Sequence, residues 1–218
     1  TNGYSGSALL RTPDHALSLI EAVVSAVDIP VTLKTRLGWD DDCLNAADVA
    51  RRAEGAGVRL VTIHGRTRCQ FYKGKADWAA IRAVKDAVSI PVIANGDIID
   101  AETARTALDQ SHADGVMIGR GAQGKPWVLA QIAADLHGTE RPAVPKGNWL
   151  IDMVSMHYEA MLSFYGEELG RKIARKHLGW YMDATDTPPA LRKANLTHTR
   201  SQAVVRDLPE ALAAQVAA

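Results

Sequence analysis

The chain has 218 residues, with 25 Lys and Arg against 25 Asp and Glu, 47% hydrophobic residues and 6% aromatic. That length and apolar fraction suffice for a sizeable core, which excludes general disorder and fits one ordinary domain, alone or with a small appendage. A formal net charge of +0 excludes whole-chain attraction to nucleic acid or membrane, so either partner would need a local patch.

From the amino end, a Gly- and Ser-containing stretch of loop character leads to a helical pattern over 13–27, where apolar residues recur at three- and four-residue steps. Next come four short β-branched runs, at 31–36, 60–64, 92–95 and 115–118, the first three entered from an Ile-Pro or a Gly and the fourth less clearly flanked. Helical patterns at 44–56, 78–88 and 101–110 separate them, and Asp14 and Asp100 sit where caps belong. Near-continuous apolar strands alternating with amphipathic helices require a parallel sheet covered by helices. Both an open doubly wound sheet and a (β/α)8 TIM barrel meet that requirement. Lys34, Arg36, His64, Arg66, Asn95, Asp97 and Arg120 all fall at or just past successive strand ends. Barrel enzymes keep their sites there, and no GxGxxG opens a helix, so the barrel is favoured.

The proline-containing stretch 141–147 reads as a linker, after which only helical patterns follow, over 149–165, 167–182, 190–197 and 201–216. The expected domains are 1–140, α/β, and 141–218, a small all-α unit. A full barrel takes about 250 residues and eight strands. Four strands cannot close, so the expectation is the second half of a barrel, strands five to eight, lacking its amino-terminal half. No run approaches the roughly 18 apolar residues of a membrane span, and no signal-peptide pattern opens the chain, so a cytoplasmic protein is expected. Cys43 and Cys69 lie in no metal-binding spacing, so free thiols and no metal site are expected.

Three groups of residues carry chemistry. Asn95-Gly96-Asp97 ends the third strand and Gly119-Arg120-Gly121 the fourth, where barrel loops commonly bind phosphate through backbone N–H groups and a bidentate arginine. Simple tight turns explain the same glycines equally well. Lys34 is a cation within an apolar strand, so it needs a site or a partner carboxylate, and beside it His64 is more than a lone strand-end histidine. Such a rim suits an anionic cofactor such as FMN, in which a lysine near the ring favours the reduced flavin. Finally, Arg171, Lys172, Arg175 and Lys176 form a basic stripe at helical spacing. A solvated face is the usual meaning of such a run, and a nucleic-acid backbone is the alternative.

In order and spacing these segments resemble the tRNA-dihydrouridine synthase family, in its bacterial DusB-like branch. The resemblance rests on Gly6-Ser7-Ala8-Leu9-Leu10, the segment from Pro30 to Arg36, Thr62-Ile63-His64-Gly65-Arg66-Thr67-Arg68, the segment from Pro91 to Ile98, and the segment from Met117 to Gly124. Arg175-Lys176-His177 with Trp180-Tyr181 adds the family's helical domain. It implies an FMN-binding barrel in which NADPH reduces the flavin and the flavin reduces uridine in tRNA to 5,6-dihydrouridine. Carried over by residue, Lys34 and His64 contact the flavin ring, and Asn95, Gly96, Asp97, Gly119 and Arg120 hold its ribityl chain and phosphate. Arg36, Arg66, Arg171, Lys172, Arg175 and Lys176 would face tRNA. The family's proton-donating cysteine lies before Thr1, matching neither Cys43 nor Cys69, so this piece alone is expected to be inactive. Another FMN-dependent barrel oxidoreductase, or a non-catalytic RNA-binding remnant, are the rival readings.

Overall fold

The computed structural model describes residues 5–213. Four strands, β1 (Thr32–Arg36), β2 (Leu60–His64), β3 (Val92–Asn95) and β4 (Gly115–Met117), form one sheet in sequence order. Every neighbouring pair is parallel. The crossovers carry α1 (Pro13–Ala26) ahead of β1, then α2 (Ala46–Gly55), α3 (Arg82–Lys85) and α4 (Ala101–Ser111).

Alternation along the strands divides the sheet into two faces. Leu33, Val61, Ile63, Val92 and Ala94 pack with Ala50 and Ala53 of α2, and with Ile81 and Val84, into one apolar cluster. Thr32, Lys34, Arg36, Thr62, His64, Ile93, Asn95 and Met117 alternate with those residues and therefore occupy the opposite face.

Local deviations from the sequence pattern have identifiable causes. The helix expected over 78–88 is a single 3-10 turn, Ala79–Ile81, followed by the four-residue α3. The Glu54 carboxylate of the preceding crossover accepts hydrogen bonds from the Ser89 N–H, the Ser89 hydroxyl and the Ile90 N–H. This long-range anchor fixes the segment between the helix end at Lys85 and the start of β3 at Val92. The expected amino-terminal loop contains a 3-10 helix, Gly6–Arg11, with Leu10 buried and its carbonyl accepting from Asn45 Nδ2 at 2.7 Å. Asp100 caps α4 in a reciprocal box with Thr103. Asp14 does not cap α1: Thr12 precedes the helix, Pro13 starts it, and Asp14 pairs with Arg52 at 2.6 Å.

The chain separates into two compact units, Thr1–Gly121 and Ala122–Ala218, so the division falls at the end of the last βα turn rather than at the 141–147 linker. The second unit contains α5 (Val128–His137), α6 (Gly147–Tyr165), α7 (Glu167–Ala184), α8 (Pro189–Thr197) and α9 (Ser201–Leu212). Its core joins Leu150, Val154 and Tyr158 of α6 to Ala174, Leu178 and Met182 of α7 and Leu208 of α9. Their three- and four-residue spacing is the apolar stripe that holds helices together. The aromatic pair of α7 splits: Tyr181 is in this core, whereas Trp180 is half-buried, with Lys176 Nζ 5.8 Å from its ring. Among the described residues no helix is long and apolar enough to cross a membrane.

Candidate active site at the carboxyl ends of the strands

Strand register builds the site. Arg36, His64, Asn95 and Met117 stand side by side across the four strands, one pleat beyond Lys34, Thr62, Ile93 and Gly115. These side chains point away from the helix layer, and Lys34, His64, Asn95 and Met117 among them border a pocket of about 530 Å³. Lys34, His64, Tyr72, Asn95 and Met117 line it, closed by the loops at 96–99 and 119–121. That volume is in the range of small-ligand and cofactor sites.

Two glycines shape the wall. Gly96 has φ +116°, and an added Cβ would come within 2.8 Å of both Ala76 Cβ and His64 Cδ2. A side chain there would be strained and would collide with the histidine. At Gly119 an added Cβ would meet nothing within 4 Å, so its backbone is open to an approaching group.

The pocket is electrostatically positive. Burial pushes the His64 pKa down to about 4, helped by the charges of Arg36, Lys34 and Arg66 and opposed by Asp97. His64 is therefore neutral at physiological pH. Lys34 is lowered from its usual value by burial and by Arg36. Asp97 is the anionic centre: burial opposes its ionisation, but bonds from Arg66 and the Ala76 N–H, with the Arg66 and Arg120 charges, hold it below the ordinary carboxylate value. Arg66 Nη2 lies 2.5 Å from Asp97 Oδ2, and Arg120 Nη2 lies 3.3 Å from Oδ1.

The seven residues expected around a cofactor, Lys34, His64, Asn95, Gly96, Asp97, Gly119 and Arg120, thus border one pocket. Asn95 Nδ2 donates to the Met117 carbonyl at 2.8 Å, which fixes the amide across the last two strands. The arginines expected at an RNA surface are placed differently. Arg66 is 1% exposed, bonded to Asp97 and to the carbonyls of Lys73 and Gly74, so it ties two strand-end loops together and presents no cation to solvent. Arg36 Nη1 donates to the carbonyls of Thr67 and Phe71 at 2.8 and 2.9 Å. In α7, Lys172 pairs with Glu168 and half-buried Arg171 donates to the His198 carbonyl, while Arg175 and Lys176 are exposed.

Sequence reasoning missed Tyr72 and the apolar wall of Ile98, Ile99 and Met117. The signal for Tyr72 was available: Phe71-Tyr72 is an aromatic pair in a segment, 66–76, that has four basic residues and no acidic one. Neither thiol borders the pocket; Cys43 is half-buried with Sγ directed at the Leu10 carbonyl, and Cys69 is exposed. No group of His, Cys, Asp and Glu among the described residues could hold a metal ion.

Fold and site together define a parallel α/β protein with a cationic, glycine-walled pocket at the carboxyl ends of its strands. The chain belongs to the dihydrouridine synthase (Dus) family, whose model matches residues 1–217. It is 68% identical over 188 residues, 86% of this chain and 58% of the relative, to a probable tRNA-dihydrouridine synthase of Rhodobacter capsulatus. With tRNA-dihydrouridine synthase B of Vibrio cholerae it shares 48% identity over 200 residues, 91% of this chain and 62% of that protein. The chain therefore spans about three-fifths of the length of these relatives. Among solved structures, a mandelate oxidase covers 90% of this chain and 60% of its own at 21% identity with a TM-score of 0.33, too slight a likeness to inform the site.

Proposed function

We propose that this chain supplies the cofactor-holding face and an RNA-binding helical unit of a flavin-dependent tRNA-dihydrouridine synthase. The observation that carries the proposal is the convergence of Lys34, His64, Asn95, Gly119 and Arg120 on one pocket at the strand ends. The donor set fits FMN: two cations, an amide, a neutral imidazole and an open glycine backbone suit a phosphate, a polyhydroxyl chain and a polar ring. Bound there, FMN supplies hydride transfer from NADPH to the C5–C6 bond of a uridine. Lys34 and His64 would face the ring, Lys34 contributing positive charge and His64, neutral at pH 7, a hydrogen bond without a second cation. Gly119 and Arg120 would hold the phosphate, and Asn95 and Gly96 the ribityl chain. Asp97 acts through Arg120, whose guanidinium it orients, because its own oxygens are engaged by Arg66 and the Ala76 N–H.

The sheet is read as strands five to eight of an eight-stranded barrel. Supporting this, β1 is an edge strand beside an apolar cavity of about 420 Å³, lined by Leu9, Leu10, Leu19, Val23 and Leu33. An edge with unpaired backbone and apolar flanks is suited to a further βα unit. With no cysteine at the pocket to donate the C5 proton, the 218-residue chain by itself binds flavin but does not reduce uridine. The exposed Arg175 and Lys176 contact tRNA phosphates.

Titrating the purified chain with FMN and following flavin fluorescence tests the proposal. Saturable quenching that Arg120→Ala weakens by tenfold or more is expected. Absence of binding in the wild-type chain, or unchanged affinity in the variant, overturns the assignment of the pocket.

A further inference from the structure

Tyr72 borders the pocket, but Phe71 does not, and neither has a role in the proposed cofactor chemistry. Both rings are about half exposed, at 53% and 48%, and they meet edge to face with centroids 4.7 Å apart. Arginines interleave with them: Arg120 lies 4.7 Å and Arg36 5.6 Å from the Tyr72 ring, and Arg68 lies 5.5 Å from the Phe71 ring. The result is a run of flat cationic and aromatic groups leading from solvent to the pocket.

The backbone is held at a cost to keep these rings outward. Phe71 has φ +55°, a left-handed conformation that a bulky aromatic rarely adopts. Arg36 holds it there by donating to the carbonyls of Phe71 and Thr67. Strain of this kind in an exposed loop is retained where the surrounding structure over-determines it, commonly at ligand clamps. Exposing two aromatics on a strained turn gains no burial, so stability does not account for them.

We infer that Phe71 and Tyr72, with their arginines, form a stacking platform for unpaired RNA bases at the mouth of the pocket. This rests on the proposed function, since the platform would present a displaced uridine to the cofactor. Bases stack on aromatic rings and on guanidinium planes alike, which is how single-stranded RNA is held without groove contacts. The charge agrees, since beyond the buried Arg66 the segment 67–76 holds Arg68, Lys73 and Lys75 and no acidic residue. A strand would lie over Phe71 and Tyr72 toward Arg120.

The test compares a ten-nucleotide oligouridylate with an abasic oligomer of the same length, by fluorescence anisotropy on the full 218-residue chain at fixed salt. The wild-type chain should bind the oligouridylate roughly tenfold more tightly, since stacking is worth about that much per base. Phe71→Asn should abolish the preference while leaving abasic binding and thermal stability unchanged or improved, because asparagine tolerates the left-handed backbone. Tyr72→Leu, which keeps apolar bulk but removes the ring, should reduce the preference as well. Equal affinity for the two oligomers, no binding of oligouridylate, or a Phe71→Asn variant that retains the preference would each overturn the inference. FMN titration of the same wild-type sample separates the two proposals: a chain that fails to bind flavin sinks the cofactor pocket, while the oligomer comparison still decides the platform.

Discussion

Removing the Asp97 carboxylate with Asp97→Ala should cost the α/β unit about 3 kcal/mol, the lower end for breaking a buried ion pair from one side. The reasoning starts from Arg66, whose side chain is 2% exposed and whose counter-charge is Asp97, itself 30% exposed, at 2.5 Å. Without the carboxylate the guanidinium keeps only the Lys73 and Gly74 carbonyls as strong acceptors, and moving it to solvent would dismantle the 65–76 loop. Those two acceptors and the partial exposure of Asp97 keep the loss from the upper end. Urea denaturation followed by circular dichroism measures it, and the melting temperature should fall by on the order of 10 °C. The double variant Arg66→Met with Asp97→Leu removes both charges and should recover much of the loss, because the penalty comes from the orphaned cation. A single variant that loses under about 1 kcal/mol, or a double variant no better than it, would refute the account. The pH dependence has a defined sign: the folded pKa of Asp97 is depressed, so its contribution is present above the ordinary carboxylate value and lost as pH falls through the folded value.

Other expectations follow from the same geometry. The His64 ring resonances should show no titration from pH 8 to 5.5, because the folded pKa is about 4; a midpoint near 6.5 would mean the ring is solvated. The same depression makes stability fall as pH drops from the unfolded value of 6.5 toward 4, since the unfolded chain binds the extra proton. Gly96→Ala should destabilise by about 1–3 kcal/mol from the φ of +116° and the 2.8 Å approach to His64, read by thermal melting, and wild-type stability would refute the need for glycine. Charge reversal at Arg175 and Lys176 should weaken tRNA binding in every sequence context and lower the slope of log K against log salt by somewhat under one unit per lost contact, with flavin affinity unchanged. Unchanged tRNA affinity in the folded variant would take these residues out of the interface.

The alternation of short β-branched runs with amphipathic helices was sufficient to place all four strands, their parallel order and the polar residues at their ends. Both signals are local: strand periodicity of two fixes which side chains share a face, and the βα repeat fixes which end they share. That is why Lys34, His64, Asn95 and Arg120, distant in sequence, were legible as one rim. The tertiary structure decided what no local pattern encodes. Arg36 ends β1 and Arg66 lies two residues past the end of β2, so both read as arginines of one rim, yet one braces the Phe71 loop and the other is buried against Asp97. Only the fold of the 65–76 loop separates them. The helical pattern at 78–88 is realised over 79–85, and just beyond it Ser89 and Ile90 donate to Glu54, more than 30 residues away in the chain, a contact no local pattern encodes. Tyr72 gained its place at the pocket from the same loop. Periodicity determines a side chain's face, but a loop's path depends on the partners its backbone carbonyls and N–H groups find across the fold, and those partners exist only once the strands are assembled.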